Sequence, residues 1–123
     1  MGKMKIYIFA LLFSLLNACG YSGLKIRNHE VIRIIQRDSQ VIKGSEGDIE
    51  IYVGDISLGM ATVQIRSTND NKLYLKEEMR KGDEAIFQYS ETHIYKIKIK
   101  RYEEHFFHDD IAFVIISEVS PPK

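Results

Sequence analysis

From residue 49 onward the chain alternates apolar and polar residues with a period of two, and that rhythm confines it to β-structure. Ile49, Ile51 and Val53 are interleaved with Glu50 and Tyr52, and Ala61, Val63 and Ile65 with Thr62, Gln64 and Arg66. Tyr95, Ile97 and Ile99 alternate with Lys96, Lys98 and Lys100 without a break. Successive side chains of a strand leave on opposite faces, so each run lays one face on a core and turns the other to water. Leu73, Leu75 and Met79 mark a further run, and Ala85, Phe87 and Tyr89 another. Ile111 to Ile116 (IAFVII) is apolar on both faces, as suits a central or doubly covered strand. Gly54-Asp55, Asn69-Asp70-Asn71 and Lys81-Gly82-Asp83 punctuate the runs with turn chemistry. In Val31 to Arg37 the β-branched content favours a strand, although residues 31, 34 and 35 also share a helical face. Pro121 and Pro122 lie beyond every run, where no ladder hydrogen bond is lost. The expected fold is all-β: a small antiparallel β-sandwich or partly open barrel of six to seven short strands.

The first nineteen residues obey a different logic. Lys3 and Lys5 give a short positive region, and Ile6 to Leu16 (IYIFALLFSLL) is eleven residues of almost unbroken apolar character. That length suits a secretory signal and falls short of spanning ~30 Å of hydrocarbon. The run ends in Leu16-Asn17-Ala18-Cys19-Gly20. This resembles the lipobox of bacterial lipoproteins, with Leu at −3, a small residue at −1 and the chain's single cysteine at +1. The resemblance implies cleavage before Cys19 and acylation of its thiol with fatty acids such as palmitate. It also implies a membrane anchor, since two or three acyl chains hold where one is marginal. Gly20 replaces the Asp that retains such proteins at the inner membrane, so the resemblance implies the outer membrane, facing the periplasm. In a Gram-positive cell the same motif implies the outer face of the plasma membrane. The expected organisation is a cleaved signal over 1–18, the lipidated Cys19 and a flexible tether over 19–30, and one sandwich domain over 31–123.

Composition removes several function classes. One cysteine allows no intrachain disulfide, and in this reading it is already used. Taking Lys3 and Lys5 from the 17 basic residues leaves 15 against 17 acidic ones, a formal −2 for the mature chain. A nucleic-acid binder needs a cationic surplus to displace counterions, so nucleic acid is not an expected partner. There is no GxSxG, and Gly44-Ser45-Glu46-Gly47 is too short for a phosphate-cradling loop. Glu77 and Glu78 point to opposite faces of one strand and cannot converge as a glycosidase pair. No enzyme is expected, and no cofactor.

Three groups of residues offer chemistry. The lysine row Lys96, Lys98 and Lys100 would present three ammoniums on one side of a strand, at ~7 Å spacing. It suits contact with phosphates or an acidic partner, but the reading favoured over these is the protection of a sheet edge, with Glu50 or Glu77 as neutralising neighbours. Tyr52, Tyr74 and, at the end of its strand, Tyr102 are expected on polar faces, where tyrosine serves recognition or cross-strand packing. Finally, Glu103 to Asp110 (EEHFFHDD) gathers two imidazoles and four carboxylates, with His93 a possible neighbour through strand pairing. His105, His108 and Asp110 are zinc-type ligands. The plainer reading is a solvated connection in which Phe106 and Phe107 plug one end of the core.

The resulting expectation is a non-enzymatic protein-binding module, tethered to the membrane and engaging an envelope protein through Tyr52, Tyr74, Lys96, Lys98 and Lys100. Assembly accessories, inhibitors and immunity or exclusion lipoproteins all belong to that class. The alternative is a metal-binding envelope protein built on His105, His108 and their neighbouring carboxylates.

Overall fold

Alternation becomes burial wherever two sheets can face each other. The computed structural model describes residues 23–119. The signal, Cys19 and the proline pair lie outside the described residues. Eight strands are present: β1 (Val31–Ile35), β2 (Asp38–Ile42), β3 (Ile49–Val53), β4 (Met60–Ser67), β5 (Leu73–Arg80), β6 (Glu84–Ser90), β7 (His93–Glu103) and β8 (Ile111–Val119). They form two four-stranded antiparallel sheets, ordered β1-β8-β7-β6 and β2-β3-β4-β5. No helix occurs among the described residues. The fold is therefore all-β, an arrangement consistent with a sandwich and not a closed barrel.

Every strand neighbours the next in sequence, and β1 returns to pair with β8. The chain thus runs up and down around a ring, but the ladder lapses at two seams, β1–β2 and β5–β6. At the first seam two successive residues bond to different sheets. The Gln36 N–H donates to Asp110 O (2.9 Å) and the Arg37 N–H to Val53 O (2.6 Å). Arg37 makes the step with a left-handed φ of 61°. At the second seam Tyr102 ties the sheets together, donating its hydroxyl to Met79 O at 2.7 Å.

The expected strands supply the core. Ile49, Ile51, Val53, Val63 and Ile65 face Tyr95, Ile97, Ile99 and Val114, all fully buried. The strand not anticipated is β2. Only Ile42 of its five residues is buried, so no alternation marks it in sequence. β8 is flanked by β1 and β7, which accounts for its unbroken apolar run. Phe113 on its outer face is covered by Arg101, whose guanidinium sits 3.9 Å from the ring centroid. A bulge between Ile99 and Arg101 turns both Lys100 and Arg101 outward and restores Tyr102 to the inner side. On β5, Glu77 occupies the inward register position opposite Val63 yet is exposed, because β5 is an edge.

With all strands antiparallel, the connections fall at two ends. The apex carries residues 36–37, 54–59, 81–83 and 104–110. The base carries 43–48, 68–72 and 91–92, together with Gly23 and Val119, the first and last described residues. Leu24, within the segment expected as tether, is 2% exposed and part of the core. Its N–H donates to the hydroxyl of fully buried Tyr95 at 2.7 Å, and the Lys25 N–H donates to Lys43 O at 2.7 Å. An apolar side chain that closes the base outweighs the glycines around it, so among the described residues the packed chain already includes Gly23 and Leu24, ahead of residue 31. Gly44 is required here, since a Cβ would lie 2.8 Å from Gly47 O and 2.9 Å from both Leu24 Cδ2 and the Tyr89 hydroxyl.

Two outcomes follow. Tyr95→Phe strands the Leu24 N–H in the buried base and should cost about 1–3 kcal/mol, read as a lower urea midpoint at unchanged m-value. Burial pushes the Tyr102 phenol up to about 12. Its ionisation is therefore costlier in the folded chain than in the unfolded one. The stability it carries is whole below pH ~10 and is lost as pH climbs through that raised value. Tyr102→Phe should flatten alkaline unfolding, followed by circular dichroism.

Candidate functional site

The apex is built from the β7–β8 loop (104–110), the β3–β4 loop (54–59) and the Gln36-Arg37 step. Arg37 is its hub. The guanidinium reaches Asp55 at 2.5 Å and Asp109 at 3.3 Å, so it joins loops from both sheets. The hydrogen bond to Asp55, then that carboxylate's charge, raises the pKa of Arg37 and holds it cationic. Gln36 works beside it, with Oε1 accepting from the Ile56 N–H at 3.1 Å and Nε2 donating to Asp109 at 3.5 Å. Glu104 accepts from the Gly59 N–H at 3.0 Å, a second bond between the two loops. Within the longer loop the His105 N–H donates to Asp110 Oδ1 at 2.7 Å. At its root Arg101 pairs with Glu103 and, by hydrogen bonding first, keeps that carboxyl below its usual range.

This polar lacing holds apolar side chains in the open. Phe106 is 98% exposed, Phe107 91% and Leu58 89%. Other exposed large hydrophobics, such as Ile86 and Leu73, are far better covered. Each of the three would gain roughly 1.5–3 kcal/mol by burial. Leu58 carries a further penalty. Leu58 and Gly59 have φ of 53° and 74°, and Ser57 and Met60 exchange backbone hydrogen bonds around them, a type I′ turn. Asn, Asp or Gly suits the first central position of that turn, and solvent also favours them there. Leucine satisfies neither the backbone nor the water at this position. Around these side chains stand Asp55, Glu104, Asp109 and Asp110. The two loops themselves contain no Lys or Arg.

The expectation that Phe106 and Phe107 plug the core is overturned. The base and both sheet faces fill the interior without them, and the loop's own carboxylates fix its backbone away from the core. A signal was present in sequence: the two rings are bracketed by His105, His108 and acids, with no apolar neighbour to share a plug. Leu58 carries a signal of the same kind, an apolar residue directly before Gly59 in a turn.

The other predicted residues do not form one surface. Lys96, Lys98 and Lys100 lie on the outer face of β7, which is flanked by β6 and β8. Edge protection is thereby excluded, and the true edges are β1, β2, β5 and β6. The neutralising neighbour of the row is Glu84, 3.6 Å from Lys96 Nζ and in register with Lys98. Glu50 instead binds Arg66 at 2.6 Å in the opposite sheet. Tyr52 stands there too, beneath the Arg66 guanidinium at 5.2 Å. Tyr74 is the extra residue of the β4–β5 bulge and turns toward β6, 6.3 Å from Phe87 and 5.8 Å from Tyr89. Its half-burial raises its pKa.

His105 and His108 meet edge to face at 5.8 Å. Asp110 already accepts from the backbone, and His93 lies at the base, a strand length of ~33 Å away. It is stacked on Tyr95 and bonded to Ser90 and Thr92. Among the described residues no three His, Cys, Asp or Glu side chains are grouped to hold a metal ion. Comparison with protein families, curated proteins and solved structures finds no match.

Arg37→Ala releases both loops from their shared cation while leaving the core intact. Hydrogen exchange at 54–59 and 104–110 should quicken several-fold, with no change in global unfolding midpoint. Exchange unchanged in those loops would show that Arg37 does not hold the apex.

Proposed function

We propose that this chain is a non-enzymatic binding module of the bacterial envelope, tethered through Cys19, that grips a protein partner with its apex. The observation that carries this reading is the trio Leu58, Phe106 and Phe107, held out by a hydrogen-bonded frame at an energetic cost. Recognition surfaces use such anchors: a few large apolar side chains enter a socket, and a polar rim sets orientation. The rim here is acidic, so the partner offers an apolar socket bordered by Lys and Arg. A bilayer is the poorer occupant, because anionic headgroups repel Asp55, Glu104, Asp109 and Asp110.

The placement of the ends supports the same reading. Gly23 stands at the base, and Cys19 precedes it by only a few residues. β7, with 11 residues, separates base from apex by about 35 Å. An anchor at Cys19 then keeps the base against the membrane and offers the apex to the periplasm, or to the exterior in a Gram-positive cell. Assembly accessories, inhibitors and immunity lipoproteins would all use such a display.

In-cell crosslinking with mass spectrometry tests the proposal. The wild-type chain should capture one envelope or foreign protein in near-stoichiometric yield. Phe106→Ser with Phe107→Ser should lower that yield at least tenfold, since each anchor is worth more than about 1.4 kcal/mol. Lys96→Ala with Lys98→Ala should leave it unchanged. Equal capture by the Phe variant would sink the apex as the binding surface. Cys19→Ser should lose labelled fatty acid and leave the membrane fraction, and a variant still labelled and membrane-bound would refute the tether.

A further inference from the structure

Toward the opposite end, where the base loops carry Glu46, Asp48, Asp70 and Glu91, cations gather at one place. Where the ladder lapses between β1 and β2, the seam opens into a cleft of about 340 Å³. The chain from Lys25 to Arg33 forms one wall and Gln40 to Lys43 the other. Its lining includes the cations Lys25, Arg27, Arg33 and Lys43 against one carboxylate, Glu30. None of the four cations has an ion-pair partner within 4.0 Å among the described residues. Their grouping is not a product of bulk charge, since the mature chain is formally −2.

Backbone geometry forces part of this cluster together. Leu24 bridges Gly44 in antiparallel sense, and the Lys25 N–H bonds to Lys43 O, so the two lysines stand opposite each other. Like charges at such a pair are destabilising unless an anion lies between them. Between the cations the lining is apolar, with Val31 and Val41 both exposed at the rim. A ligand that suits the cleft therefore combines an anionic head with an apolar root. The cleft is also formed by the first described stretch of chain, at the end where the polypeptide runs back toward Cys19.

We propose that this cleft seats the headgroup of an anionic phospholipid, with its glycerol root against the valines at the rim. The choice of a lipid over a free anion rests on the tethering read above, which holds the base at a bilayer. The domain would then lie docked on the membrane by its base instead of swinging from the anchor, and the apex would keep a fixed height.

Vesicle co-sedimentation decides the matter, using residues 19–123 with Cys19→Ser, a form that keeps the whole core from Leu24 to Val119. It should bind vesicles rich in phosphatidylglycerol and ignore phosphatidylcholine alone. Lys25→Ala with Lys43→Ala should weaken binding strongly, by about fivefold per cation near such a surface. Lys96→Ala with Lys98→Ala should leave it intact, and circular dichroism checks that each variant is folded. Binding to both lipids alike, binding to neither, or an equal loss with the β7 lysines would overturn the cleft as a lipid seat. Inorganic phosphate, matched against chloride at equal ionic strength, gives the remaining arm. Binding of phosphate at the cleft, with no binding of phosphatidylglycerol vesicles, would assign the cleft to a free anion and reject the lipid. The mass of the intact wild-type chain reads acylation of Cys19 independently, so failure of the tether and failure of the cleft are told apart.

Discussion

The pairing of the first strand with the last governs the architecture. Five register pairs, from Val31↔Ile115 to Ile35↔Ile111, bring residues some eighty positions apart into one ladder. Without them the chain is an open meander, with the inner face of β8 uncovered on one side. With them the ring comes round upon itself, and three consequences follow from geometry alone. Gln36 and Arg37 arrive beside Asp109 and Asp110, which creates the apical hub. The entering and leaving chain are brought to the same end. The chain steps from one sheet to the other at Gln36-Arg37, so the seam between β1 and β2 lies there. Contacts this distant in sequence are the expensive ones to form, because loop closure precedes any reward.

The two ends that result dispose their apolar side chains in opposite ways. At the apex, carboxylates and a single arginine fix loop backbones, and apolar side chains project past them. At the base, apolar side chains are swallowed (Leu24, Tyr89, Tyr95) and cations line the exterior cleft. The frame at the apex is made of exposed ion pairs and backbone bonds, each of modest worth alone. Their joint effect is positional. They deny Phe106 and Phe107 the inward collapse that burial alone would favour.

How much of this the sequence disclosed depended on whether a residue's role was local or relational. Ile97 and Val63 could be placed by alternation, because the period of a strand is a local property. β2 could not, because an edge strand with one buried residue carries no period. Leu24 was legible only as a leucine among glycines and polar residues, and its burial depends on Tyr95, seventy-one positions away. Alternation correctly put Lys96, Lys98 and Lys100 on a solvated face, but whether β7 is an edge or a centre is a fact about sheet order. The pair Phe106-Phe107 reversed its expected role because hydrophobicity predicts burial only where the backbone is free to comply.

Glu77 bears on how such molecules behave in a crowd. Proteins anchored to a surface are concentrated in two dimensions, where open strand edges find one another far more often than in solution. A neighbour's strand docking alongside β5 would have to seal over the inward position that Glu77 occupies, and bury a carboxylate there with no cation supplied. Desolvating such a charge forbids the union. One misplaced-looking acid thus guards this edge of the sheet against a neighbour's strand, however densely copies are arrayed.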